Sequence, residues 1–182
     1  VVNLTQVLCW NGDFPAMVEL SRSHLSEIRA LGAQNELSMA LTWIGEGYMH
    51  VARYDDARRT LSDAIAAARA HGDEASIGYA CGEMIWLDTI TATGDGFASI
   101  PARTRELQDI PDRVDDSYLR TLAHYGRWAH TVQSGRLGDA LDTARDLRSI
   151  GTWTGYPPAA QISSSGKYAG MTPMTGRPSA FS

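Results

Sequence analysis

A chain of 182 residues with 43% hydrophobic and 20% charged residues can bury a core, and its composition is not that of a disordered protein. Its formal net charge of -5 argues against non-specific binding to nucleic acid or to an anionic membrane, which needs a basic surface. No apolar run approaches the roughly 18 residues that a membrane-spanning helix needs, and no basic start followed by an apolar block marks a signal peptide.

Taken in chain order, the predicted elements are all helices. The apolar spacing places them near residues 2-11, 14-31, 35-51, 54-70, 74-92, 97-109, 114-134, 137-149, 158-174 and 177-182. In the third, Leu37, Leu41, Ile44, Tyr48 and Val51 form one stripe; in the fourth, Tyr54, Ala57, Leu61, Ala64 and Ala68 do so. Tyr118, Leu122, Tyr125, Ala129 and Val132 repeat the pattern in the seventh. No run alternates with period two for long enough to suggest a strand. Residues 152-182 have the prolines and serines of a disordered tail. Gly176-Arg177-Pro178 nevertheless falls on the repeat described next, so this stretch reads as a weak or partly disordered last repeat.

The breaks between helices recur. Gly12-Asp13-Phe14, Ala52-Arg53-Tyr54, Gly94-Asp95-Gly96, Gly135-Arg136-Leu137 and Gly176-Arg177-Pro178 start 40, 42, 41 and 41 residues apart. A second set lies between them, at Leu31-Gly32-Ala33, His71-Gly72-Asp73, Pro111-Asp112 and Ile150-Gly151-Thr152. A fixed period of this kind, with two helices in each unit, is the mark of stacked supersecondary repeats. The glycine of each break can end a helix in a left-handed turn, and Asp13 and Asp95 are candidate N-caps of the helices that follow. The chain opens on Val1 and stops after Phe181-Ser182, which reads as one array, residues 1-182, cut at both ends. Val2, Leu4, Val7 and Leu8 are then expected to lack neighbours, with self-association through the open ends.

Leu41, Gly45 and Tyr48, followed by Ala57, Leu61 and Ala64, resemble the tetratricopeptide repeat. In that family a large, a small and an aromatic residue mark the first helix, and small residues flanking a large one mark the second. Gly135, Leu137, Ala140, Ala144 and Leu147 echo the second half, whereas Gly96 stands where an aromatic belongs. The period of about 41 is longer than the roughly 34 of the standard repeat. Long, alanine-rich repeats of this style resemble the arrays of large bacterial signalling ATPases, namely LuxR-type regulators and cyclase-linked ATPases. The resemblance implies an all-α superhelical solenoid of antiparallel helix pairs. It implies a protein-interaction or regulatory module of a larger signalling or transcription-regulatory protein, whose partner is a protein or peptide segment or another domain of the same chain. The alternative is a domain that senses a small molecule or peptide and is coupled to an ATPase, cyclase or DNA-binding output. The concave face of such arrays is the usual binding groove; here the resemblance assigns it to Thr42, Glu46, Met49, His50, Glu83, Tyr125 and Gln133, all but Tyr125, which is nearer the stripe, outside the core stripe.

Catalytic chemistry finds no foothold in the residues. None of the five histidines has a second ligand at the i+4 spacing of a helical metal site. Ser163-Ser164-Ser165-Gly166-Lys167 lacks the opening glycine of a phosphate loop, and Tyr168 replaces the magnesium-binding hydroxyl. Gly45-Glu46-Gly47 and Gly94-Asp95-Gly96 lack the third glycine of a dinucleotide fingerprint. Glu83 and Asp88 point in different directions on one helix and read as solvated acids, and Arg58-Arg59 as a solvated face. Cys9 and Cys81 read as buried reduced thiols, which places the chain in the cytoplasm by default. Trp43, Trp86 and Trp128 recur in successive first helices, either as packing residues or as a row along the groove. No enzyme activity, cofactor or metal is expected.

Overall fold

The computed structural model describes residues 2–91 and 94–154. They form nine helices: α1 (Val2–Trp10), α2 (Phe14–Ala30), α3 (Gln34–His50), α4 (Tyr54–His71), α5 (Glu74–Thr91), α6 (Gly94–Gln108), α7 (Ile110–Val114), α8 (Ser117–Gln133) and α9 (Leu137–Thr154). Among the described residues there is no strand and no helix long and apolar enough to cross a membrane. The helices expected at 158-174 and 177-182 lie outside the described residues.

The breaks explain the alternation of helix and turn. Gly12, Gly32, Ala52 and Gly72 all have positive φ, each twenty residues after the last, and Asp115 and Gly135 repeat the interval. The turns at Gly12, Ala52, Gly72 and Gly135 share one pair of hydrogen bonds. At the second of them Arg53 N donates to Tyr48 O (2.8 Å) and Ala52 N to Met49 O (3.1 Å). That pair satisfies carbonyls which the end of α3 would leave orphaned, and it requires the left-handed conformation at Ala52, φ 59°. Asp13 caps α2 as expected, accepting from Ala16 N at 3.2 Å. Asp95 does not cap α6, because that helix already begins at Gly94.

Two further boundaries differ from expectation. The Pro111-Asp112 break contains a helical turn of its own, α7, which ends in a left-handed Asp115. α9 continues through Gly151 to Thr154 instead of stopping near 149, since a lone glycine costs a helix only about 1 kcal/mol.

Consecutive helices pack in order, and α1 touches α3, α3 touches α5 and α5 touches α8. Among the described residues the intervening helices α2, α4, α6 and α9 do not pack on one another, although Arg69 of α4 and Glu106 of α6 reach across in an exposed ion pair at 2.6 Å. No two contacting helices are more than three elements apart along the chain. One apolar cluster joins α2 to α5 through Val18, Leu41, Ile44, Leu61 and Met84; a second joins α5 to α8 through Ile85, Ile100, Leu107, Leu119 and Leu122. Small residues set the closest approaches. A Cβ on Gly45 would lie 2.6 Å from Leu61 Cγ, and one on Gly82 would lie 2.5 Å from Leu122 Cδ1. Ala57 and Ala140, at the corresponding places of α4 and α9, are buried. Val51, Tyr54 and Val132, read as stripe residues, are exposed, because each stands at a helix end where the neighbouring helix has already turned away.

Candidate functional site

Helices α3 and α5 are enclosed on nearly every side, which brings polar residues of their inner turns into the interior. Glu46 on α3 and Glu83 on α5 are 6% and 2% exposed. Glu83 is therefore not a solvated acid. The sequence pattern misplaces it because a helix flanked by α3, α4, α6 and α8 has no solvent face at that turn.

Each of these carboxylates has one engaged oxygen. Cys9 of α1 donates its thiol to Glu46 Oε1 at 3.2 Å, and His50 Nε2 lies 3.7 Å from the same atom. The Tyr118 hydroxyl of α8 donates to Glu83 Oε1 at 3.3 Å. The other oxygen of each, Oε2, is buried and meets no hydrogen-bond donor among the described residues. Burial, and then the neighbouring charge of Glu46, push the Glu83 carboxyl well above its ordinary value; the Tyr118 hydrogen bond opposes them only weakly. Burial and Glu46 raise the Cys9 thiol too, which keeps it protonated and a poor nucleophile.

Half-buried aromatic side chains adjoin the pair. Phe14 stacks on His50, with ring centroids 3.8 Å apart. The His50 ring meets Trp86 edge-on at 5.8 Å, Trp86 meets Tyr125 at 6.3 Å, and Tyr125 meets Trp128 at 5.5 Å. The row thus runs from α2 through α3 and α5 to α8. Burial, with a smaller contribution from Glu83, pushes the Tyr125 hydroxyl up to about 12, against a Thr89 hydrogen bond that lowers it.

Of the residues assigned to a groove from the sequence, Glu46, His50, Glu83 and Tyr125 come together here. Thr42 and Met49 do not face a groove. Thr42 is interior and returns its hydroxyl to Ser38 O at 2.9 Å, and Met49 belongs to the first apolar cluster. The cause is the same enclosure of α3, which leaves little of its circumference for solvent. Gln133 is half-buried at the last residue of α8, and its amide nitrogen meets no partner among the described residues. Cys9, Phe14, Trp86 and Tyr118 were not assigned to the groove. The recurrence of tryptophan in successive first helices was the one signal that pointed to any of them.

Asp88 is a separate buried acid, 0% exposed, and not the solvated one expected. It ties three helices together: Arg58 of α4 pairs with one oxygen, while Ser99 of α6 donates to the other at 2.8 Å and Arg103 Nε approaches it to 3.8 Å. Arg58 thus serves this contact as well as covering a surface. Both Asp88 oxygens are satisfied, which makes it a clasp between helices.

No three of the described histidine, cysteine, aspartate and glutamate residues are grouped so as to hold a metal ion. Compared with known proteins, the chain matches no protein family, and neither the curated proteins nor the solved structures give a significant match.

Proposed function

We propose that this chain is a helical-repeat binding module, a solenoid of tetratricopeptide type, which takes a partner segment along the face made by α1, α3, α5 and α8. The carrying observation is the buried Glu46–Glu83 pair, each with one oxygen that meets no donor among the described residues, on the helices that also carry His50 and Trp86 of the aromatic row. A buried carboxylate oxygen without a donor destabilises a fold, so its presence together with aromatic rings favours recognition over packing alone. The solenoid reading is supported by the twenty-residue recurrence of left-handed turns and by inner helices that pack together while, among the described residues, the outer ones meet only through the Arg69–Glu106 ion pair. A regulatory array of a bacterial signalling or transcription-regulatory protein in the cytoplasm fits the style of the repeats.

The test is selection of a random peptide library on the full chain, followed by two variants. Trp86→Ala should abolish capture of the enriched peptides, and Arg145→Ala, on the exposed side of α9, should leave it intact. Capture that survives Trp86→Ala would overturn this surface as the binding face. The buried acids favour one further reading, a sensor that admits a small charged ligand, and saturable binding of a metabolite without peptide enrichment would select it.

A further inference from the structure

We infer that the Glu46–Glu83 pair receives a single alkylguanidinium group, as carried by an arginine side chain or a free guanidino compound. This inference rests on the inner-face reading above and names the chemistry recognised there. Two carboxylates on adjacent helices each keep one buried oxygen without a donor, although each has its other oxygen hydrogen-bonded. Neither forms an ion pair with an arginine among the described residues. Once both carboxyls are ionised, a cation that brings at least two donors would satisfy both oxygens.

The walls select among cations. His50, 3.7 Å from Glu46, is nearly buried and stacked on Phe14, and its ring leads through Trp86 to Tyr125, both half-buried; the acids themselves are 6% and 2% exposed. A guanidinium is planar, weakly hydrated and able to stack on rings while donating to two carboxylates, whereas an ammonium is strongly hydrated and stacks poorly. A metal ion would need a third ligand, and no such grouping of three is present among the described residues. Burial, and then its neighbour Glu46, hold the Glu83 carboxyl well above its ordinary value, and an arriving cation opposes both. Binding therefore draws a proton off the pair.

The full chain is titrated with n-butylguanidinium, n-butylammonium and butan-1-ol, followed by tryptophan fluorescence and by calorimetry in two buffers of different ionisation enthalpy. Saturable binding in the order guanidinium, ammonium, alcohol is expected, with heats that differ between buffers because a proton is released. Glu83→Gln should weaken the guanidinium at least about tenfold, equivalent to roughly 1.4 kcal/mol. Its helical circular dichroism should be unchanged, and Glu46→Gln serves as the second variant should Glu83→Gln fail to fold. An acetylated, amidated Gly-Arg-Gly peptide separates the two sources: tighter binding than butylguanidinium assigns the site to a peptide arginine, and weaker binding assigns it to a free compound. Equal binding of alcohol and cation, binding unchanged in both glutamine variants, or preference for zinc chloride would overturn the inference. Peptides that still require Trp86 but tolerate Glu83→Gln would sink this inference while leaving the binding face standing.

Discussion

At the scale of single residues, the buried acids govern how stability depends on pH. The folded chain keeps a proton on Glu83 that the unfolded chain releases around the ordinary value of 4.5, so the native state binds more protons above that point. This contribution is present in acid and fades as pH rises toward the folded value. Glu83→Gln, which imitates the protonated side chain, should match the parent only below about pH 4.5 and exceed it in melting temperature increasingly as pH rises above that. Parallel pH profiles for the two proteins would refute the assignment. Asp88, whose oxygens are both engaged, contributes through its contacts. Asp88→Ala should cost stability near the low end of about 3–5 kcal/mol, since Arg58, though orphaned, can turn toward water. Chemical denaturation measures it. Ala52 supplies the converse case. Its left-handed backbone costs about 1–2 kcal/mol, part of which glycine would return as unfolded-state entropy. Ala52→Gly should therefore stabilise by roughly 0.5–1 kcal/mol, and an unchanged denaturation midpoint would show that the turn carries no strain. The sequence made Ala52 legible as a break, because it stands where other breaks have glycine. The burial of Glu83 and Asp88 was not legible, since a charged residue on a helix is exposed unless the number of neighbouring helices is known.

At the scale of elements, most of what periodicity promised is present. Seven of the helices, α1 to α6 and α8, lie within about three residues of the sequence-based bounds, because glycine turns and apolar spacing are local signals. What escaped was α7, a five-residue turn too short to show a period, and the run of α9 through Gly151. The tetratricopeptide-like positions have a concrete role in helix contact. Gly45 lets α3 approach Leu61, and Ala57 lies fully buried on α4. Gly45→Ala would drive a methyl group to 2.6 Å from Cγ of the fully buried Leu61. Together with Ala57→Leu, it should destabilise by about 1–3 kcal/mol per change, as overpacking forces the two helices apart. Midpoints that stay in place on urea denaturation would show that α3 and α4 can separate without cost.

At the scale of the molecule, the enclosure of α3 and α5 is what makes the candidate site, and this property could not be read along the chain. Thr42 and Met49 were assigned to a groove from their place outside one apolar stripe, but a helix with neighbours on most of its circumference has more than one inward face. The surface also carries unpartnered apolar groups. Leu4 and Val7 on α1, and Leu137 and Leu141 on α9, are exposed, the last two at 66% and 62%. Leu137→Gln with Leu141→Gln should lower the apparent mass of concentrated protein in light scattering, and no change would show that α9 does not mediate association.

No pair of touching helices is separated by more than three elements, and this sets how the chain finds its structure. Every contact closes over a short loop of chain, so little entropy is lost before favourable burial begins. Folding should fall in the microsecond-to-millisecond range of helical proteins with local contacts, and it can start at any neighbouring pair and spread in both directions. The central pair α3 and α4, held by the Gly45–Leu61 approach and sharing the first apolar cluster, is the natural nucleus. Substitutions there should slow refolding, whereas those in α9 should chiefly hasten unfolding.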